Sequence, residues 1–213
     1  DNVLRIREGS NVDALNPIIS ATQTARSVQK AMFQELFELH PTTFELRPVL
    51  GIGKPKVTSL EEGEYAGGMS IEMEINPKAV WDNGKPITAD DYVFTMKAIK
   101  NPKVKAANLR PYMDFIAEIK VDPNNPRKFT VYSKERYILS ESVVATSQVI
   151  PEYHYDPQGF MRNFEIPELN DQNNIEKLST NPKIVDFAKE FNTKYNLEPE
   201  TIVGSGAYRL KEI

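Results

Sequence analysis

Apolar residues recur at spacings of three and four from Ala25 through Val28, Met32 and Leu36 to Leu39, and Phe33 and Phe37 widen the stripe. That period predicts one well-buried helix, ended by Pro41 because the residue before a proline is pushed out of the α region. His40 would then close the helix C-terminus, where a cation is favoured. Ser70 to Asn76 alternates instead: Ile71, Met73 and Ile75 fall on one face, Glu72 and Glu74 on the other. This is a half-buried strand, its two carboxylates expected as solvated charge. A second alternating pair runs through Ile119 and Val121, turns over Asp122-Pro123-Asn124-Asn125-Pro126, and returns through Phe129 and Val131, a hairpin with a longer loop.

The remaining segments carry weaker signals. Val3-Leu4-Arg5-Ile6 reads as a short strand stopping at Gly9-Ser10, followed by a polar loop through Asn16-Pro17. Residues 42–68 predict short strands and loops, and Val143 to Ile150 is an apolar run closed by Pro151. Residues 156–181, rich in Asn, Asp, Gln and Glu, predict an extended surface excursion, with His154 in a surface turn just before it. Asn181-Pro182 supplies an N-cap and N1 proline for a helix with Ile184, Ala188, Phe191 and Tyr195 on one face. A final strand is expected through Tyr208 and Leu210, after the Gly204-Ser205-Gly206 turn. The pattern as a whole is mixed α/β of the α+β kind.

The densest local code is Trp81-Asp82-Asn83-Gly84-Lys85-Pro86-Ile87-Thr88-Ala89-Asp90-Asp91. Asn83-Gly84 asks for a turn with positive φ. Thr88 is a good N-cap, with Asp91 at the capping-box position, and Ile87 and Tyr92 are spaced as a hydrophobic staple. Asp90 and Asp91 complement the helix dipole, and Asn101-Pro102 ends the helix after Lys97 and Lys100. Each of these polar residues has a structural task, so the acid pair is read as punctuation rather than catalysis. Trp81 is expected in the core.

Composition narrows the chemistry. The net charge of −4 offers no basic field, so nucleic acid and anionic membrane are not expected partners. With no cysteine and only His40 and His154 as histidines, thiolate and zinc-type sites lack their ligands, and no metal or cofactor is expected. Ser205 lies between glycines but has no downstream histidine to activate it. The Gly51-Ile52-Gly53 pair is too short for a phosphate loop. An enzyme built from this chain alone is not expected. No apolar run reaches the roughly 20 residues that span a bilayer. The opening Asp1-Asn2-Val3-Leu4 fits a chain whose export signal lies outside it.

As a set, these residues resemble the family 5 extracellular solute-binding proteins, the oligopeptide-, dipeptide- and nickel-binding receptors of ABC importers. Trp81 to Thr95 resembles the family signature, with Asn83 before the glycine and Tyr92 in place of the usual valine. Leu4-Arg5-Ile6 with Leu15-Asn16-Pro17 resembles the opening strand and loop. Phe33 to Phe37 and Phe44 to Leu50 resemble the helix and the entry to the small domain, with Gly51 where alanine is common. Val149-Ile150-Pro151 resembles the Ile-Pro return, and Gly204 to Leu210 resembles the Gly-Thr-Gly-Pro-Tyr motif, with Ser205 and Ala207 as substitutions.

The resemblance implies the N-terminal part of a periplasmic-binding-protein-like class II fold. It divides the chain into 1–45, the first part of lobe I; 46–145, a small β-rich domain; and 146–213, a return to lobe I before the second lobe. It implies the substrate-binding component of an ABC importer for oligopeptides or dipeptides, monomeric, with the membrane permease as partner. The expected location is the periplasm or the outer face of a bacterial membrane, with lipid anchoring as one option. The loop residues Ser10, Asn11, Asp13 and Asn16 are the candidate ligand contacts. A sugar or nickel-chelate ligand, or an interaction or chaperone-like module on the same scaffold, stays open.

Overall fold

The computed structural model describes residues 3, 5, 7–20, 22–195 and 197–212. Leu4 and Ile6 of the expected opening strand, Val3 to Ile6, lie outside the described residues.

Helix α1 (Gln23–Met32) starts where Thr22 accepts a hydrogen bond from the Ala25 amide, and buries Ala25, Gln29 and Met32. It stops at Met32, not at Leu39 as the apolar period predicts. Phe33 is already extended (φ −122°, ψ 130°), and the Met32 carbonyl accepts from the amides of Ser205 and Gly206 at 2.8 and 2.7 Å. The last turn is thus capped from a distant segment. Beyond it, β1 (Phe37–Leu39) pairs antiparallel with β2 (Leu46–Pro48), placing Phe37 opposite Pro48. Phe33 and Phe37 satisfy a helical and an extended reading alike, and the partner strand arbitrates. His40 therefore ends a strand, with its Nδ1 3.0 Å from the Thr43 amide in the turn back to β2.

Four antiparallel strands form the main sheet in the order β3-β4-β6-β5: β3 (Lys56–Ser59), β4 (Met69–Glu74), β5 (Ile116–Asp122) and β6 (Asn125–Ser133). Ile71 and Met73 lie opposite Val131 and Phe129, and all four are buried. Glu72 pairs with Lys128 at 3.1 Å and Glu74 accepts from Asn125 at 2.9 Å, the surface roles expected of them. The β5–β6 loop is shorter than the sequence suggests, because Asp122 already pairs with Asn125.

Helix α2 (Ala89–Lys100) covers this sheet, with the Tyr92 ring 4.6 Å from that of Phe129. Its hydrophobic periodicity is weak because it is buried nearly all round, Lys97 and Lys100 included. After β5 and β6 come α4 (Ser140–Ala145) and α5 (Glu152–Tyr155); α3 (Arg110–Met113) precedes β5. His154 thus lies in a helix, not a surface turn, with its Nε2 2.5 Å from the Thr201 carbonyl oxygen. Residues 156–181 are not a surface excursion either. They form a 3₁₀ turn at Phe160–Asn163, α6 (Ile166–Asn170) and α7 (Ile175–Thr180), and they bury Met161, Phe164, Ile166, Leu169 and Leu178. Each short turn contributes one or two apolar side chains, so no helical period builds up in the sequence. Helix α8 (Pro182–Phe191) follows its expected Asn181 cap, and Phe187 meets Phe94 edge-on at 5.9 Å.

Lys100 shows how tightly this layer is tied. Its ammonium donates to the Met113 carbonyl at 2.8 Å and to Asn170 at 2.6 Å. Burial pushes its pKa down to about 8. At the chain's end no strand forms among the described residues. Residues 204–208 instead lie against the end of α1, the Tyr208 amide donating to the Ala31 carbonyl at 3.2 Å. A Cβ on Gly204 would stand 2.2 Å from the Met32 oxygen, and one on Gly206 2.2 Å from the Ala31 oxygen. That close approach is why glycine flanks Ser205, whose Oγ accepts from the Gln34 amide at 2.9 Å. Ser205 thus ties the segment just after α1 to residues 204–208.

Candidate functional site

The polar groups of the loop before α1 bond to one another and to the helix. Asp13 Oδ1 accepts from the hydroxyls of Ser20 at 2.6 Å and Thr22 at 2.8 Å, joining the loop to the helix cap. The Ser20 hydroxyl is the main reason the Asp13 carboxyl sits below its usual range. Asn16 is fully buried and accepts from the Ile18 amide at 3.0 Å through Oδ1. Gln29 reaches back from α1, donating to the Ala14 carbonyl at 3.2 Å and the Asn16 carbonyl at 3.3 Å. Ser10 shares a 2.7 Å hydrogen bond with Thr24. Ser10, Asn11 and Asp13 face solvent. Of the four candidate contacts, three therefore lie on the loop surface and Asn16 anchors the loop from beneath.

A cavity of roughly 530 Å³ opens beside this loop, lined by Ser20, Lys30, Glu35, Tyr112 and Ser147 among others. None of the four candidate residues lines it; Asp13 and Asn16 support it indirectly, through Ser20 and Gln29. Burial pushes the Glu35 carboxyl up to about 6 against the pull of Lys30. The cavity exists only because residues 17–35 meet residues 108–113 and 143–148, a juxtaposition with no counterpart in local pattern. The one sequence hint is Glu35 itself, an acid set inside an apolar run.

The Trp81 junction is structural, as expected, but reaches further than its own helix. Trp81 is 1% exposed, and Gly84 takes φ 84° in the turn. Asp91 accepts from the Thr88 amide at 3.0 Å, the Glu152 amide at 3.0 Å and Trp81 Nε1 at 3.3 Å. Asp82 donates its amide to the Gly204 carbonyl at 2.8 Å and pairs with Arg209 at 3.3 Å. Asn83 bonds the Tyr153 hydroxyl at 2.9 Å, and the Lys85 ammonium lies 3.8 Å from the centre of that ring. The junction thus clasps residues 153 and 204–209 as well as starting α2. Among the described residues, no His, Asp and Glu side chains converge as a metal site requires. None of the described helices is long and apolar enough to cross a membrane.

Residues 59–213 match the family described as bacterial extracellular solute-binding proteins, family 5, middle. A protein of Agrobacterium fabrum named peptidoglycan-binding protein YepA is 29% identical over 90 residues, 42% of this chain and 14% of that protein. Among solved structures, the oligopeptide-binding protein of Thermus thermophilus, complexed with a pentapeptide, superposes with a TM-score of 0.64 at 20% identity. It matches 92% of this chain and 32% of its own. NikZ from Campylobacter jejuni, in complex with Ni(L-His), superposes with a TM-score of 0.57 at 19% identity, matching 96% of this chain and 32% of its own. The chain spans about a third of the length of these two structures. At such identities the likeness is one of fold.

Proposed function

The chain belongs to the family 5 bacterial extracellular solute-binding proteins, and on that premise we propose that it is part of the substrate-binding component of an ABC importer for oligopeptides or dipeptides. The family match over residues 59–213 carries this reading. The peptide-bound structure of similar fold supports the ligand class. A second reading, a ligand derived from peptidoglycan, is favoured by the name of the Agrobacterium relative.

In this reading residues 1–45 and 146–213 belong to one lobe and residues 46–145 form a small β-rich domain, which is where all four strands of the main sheet fall. The chain supplies one wall of the ligand site, with Ser10, Asn11 and Asp13 presenting polar groups and Asn16 holding them in place. Binding proteins of two lobes close on their ligand by hinge motion, and affinity depends on both walls. The protein acts by binding rather than catalysis, as a monomer outside the cytoplasmic membrane, lipid-anchored or free, and delivers its solute to a permease.

Isothermal titration of residues 1–213 with tri- to pentapeptides tests the one-wall reading: no saturable heat is expected, and a micromolar Kd would overturn it. In the complete receptor, peptides are expected to bind, and Asn11→Ala to weaken them. A receptor that takes muropeptides and ignores plain peptides would favour the second reading.

A further inference from the structure

Asn83-Gly84 is the one asparagine–glycine pair of the chain, and it stands exposed at the tip of the Trp81 turn. Glycine carries no Cβ beside its amide nitrogen, so that nitrogen can approach the preceding side chain with little hindrance. Nothing lies within 4 Å of where a Cβ on Gly84 would stand. The pair is therefore chemically open to ring closure, in which the Gly84 nitrogen attacks Asn83 Cγ.

The fold opposes that attack at both ends. The Gly84 amide donates to the Trp81 carbonyl at 2.8 Å, and the Trp81 amide donates to the Lys85 carbonyl at 2.7 Å, closing the turn. The Asn83 side-chain nitrogen donates to the Tyr153 hydroxyl at 2.9 Å, and its oxygen lies 3.1 Å from that hydroxyl. The oxygen also accepts from the Lys85 amide at 3.2 Å. The Lys85 ammonium, 3.8 Å from the centre of the Tyr153 ring, fastens that ring to the turn. Nucleophile and carbon are each held, and the hold on the carboxamide comes from a residue 70 positions away.

We propose that Asn83 is a deamidation site gated by the Tyr153 clasp. When the clasp opens, the Gly84 nitrogen bonds to Asn83 Cγ and the Cγ–Nδ2 bond breaks. The Gly84 proton passes through water to the departing nitrogen, which leaves as ammonia. Water then opens the succinimide ring at either carbonyl, giving aspartate or isoaspartate. Both products lose the donor to Tyr153 and set a second carboxylate beside Asp82, the partner of Arg209 and of the Gly204 carbonyl. Isoaspartate also lengthens the backbone between Trp81 and Lys85. The modification therefore loosens the hold on residues 204–209. It does not depend on the transport reading.

The test incubates the whole chain in mildly alkaline buffer and follows residue 83 by peptide mass spectrometry, which separates amide, aspartate and isoaspartate. Slow conversion is expected in the folded parent, and fast conversion at Asn83 in denaturant. Tyr153→Phe keeps the ring, removes the hydroxyl, and should speed conversion of the folded chain by about threefold to tenfold, the worth of one or two hydrogen bonds. Leu178→Ala, which weakens the core outside this turn, should leave the rate near that of the parent. A Tyr153→Phe rate equal to the parent's, equal acceleration by Leu178→Ala, or no conversion at Asn83 in denaturant would overturn the proposal. Should Tyr153→Phe fail to fold, the parent decides alone: folded and denatured chains converting equally fast overturn the gate, and a slower folded chain supports it.

Discussion

The Trp81 junction and the loop before α1 use the same parts to opposite ends. Each enters a helix through a threonine cap, Thr88 or Thr22, and each adds an aspartate, Asp91 or Asp13. Asp91 is 5% exposed and takes its three hydrogen bonds from N–H groups of Thr88, Glu152 and Trp81. Asp13 stays at the surface, where its carboxylate accepts from the hydroxyls of Ser20 and Thr22. Burial lifts the Asp91 carboxyl to about 6, while the Ser20 hydroxyl draws Asp13 down. The same residue types, a threonine cap and an aspartate, therefore yield a buried pin in one place and an exposed polar rim in the other. The second leaves Ser10, Asn11 and Asp13 facing solvent.

Removing the pin should cost most. Asp91→Ala leaves three buried donors without their acceptor, and a loss of about 3 kcal/mol or more in unfolding free energy is expected by denaturant titration. A loss below about 1 kcal/mol would mean that water or a neighbour replaces the carboxylate, and the contrast with Asp13 would fail.

Next comes the segment that the junction clasps through Asp82. Gly206→Ala places a methyl group 2.2 Å from the Ala31 carbonyl oxygen, so a destabilisation of about 2 kcal/mol is expected in the same assay. A smaller effect would show that residues 204–208 can lift from the end of α1 without disturbing it.

The titration of Asp91 gives a subtler comparison. Its folded pKa is raised from 3.8 to about 6, so between those values the native state holds a proton that the unfolded chain has released. Stability from this group is full below about pH 4 and falls as pH rises through about 6. Asp13, whose pKa is lowered, contributes in the reverse sense, losing stability as pH falls through its folded value. Unfolding free energies followed between these limits should show the fall in the parent and a flatter profile in Asp91→Asn. An unchanged profile would assign the titration to Glu35, the other carboxyl lifted to about 6 by burial.

At the rim, Ser10→Ala and Asn11→Ala should change stability by less than about 0.5 kcal/mol, because neither residue is buried. A larger effect of Asn11→Ala on thermal unfolding would make the loop a structural element like the junction.

Much of the architecture is legible in local pattern. The alternation at Ile71, Met73 and Ile75, the hairpin of β5 and β6, the Thr88 and Asn181 caps and the Gly84 turn each depend on residues a few positions apart. The loop at Ser10 to Asn16 was legible as polar and exposed, but not the burial of Asn16, which rests on Gln29 reaching back from α1. Glu35 and the cavity beside it were not legible, since α1 and residues 143–148 are far apart in the chain.

The sequence by itself determined the turns, the caps, the alternating strands and the family signature, because hydrogen bonds and side-chain spacing within a few residues follow from local order. Tertiary structure decided where α1 stops, that residues 156–181 send Met161, Phe164, Ile166, Leu169 and Leu178 into the core, that residues 204–208 cap a helix instead of forming a strand, and which aspartate is buried. Those outcomes turn on which distant group supplies the missing hydrogen bond or excludes water, and no local pattern encodes that partner.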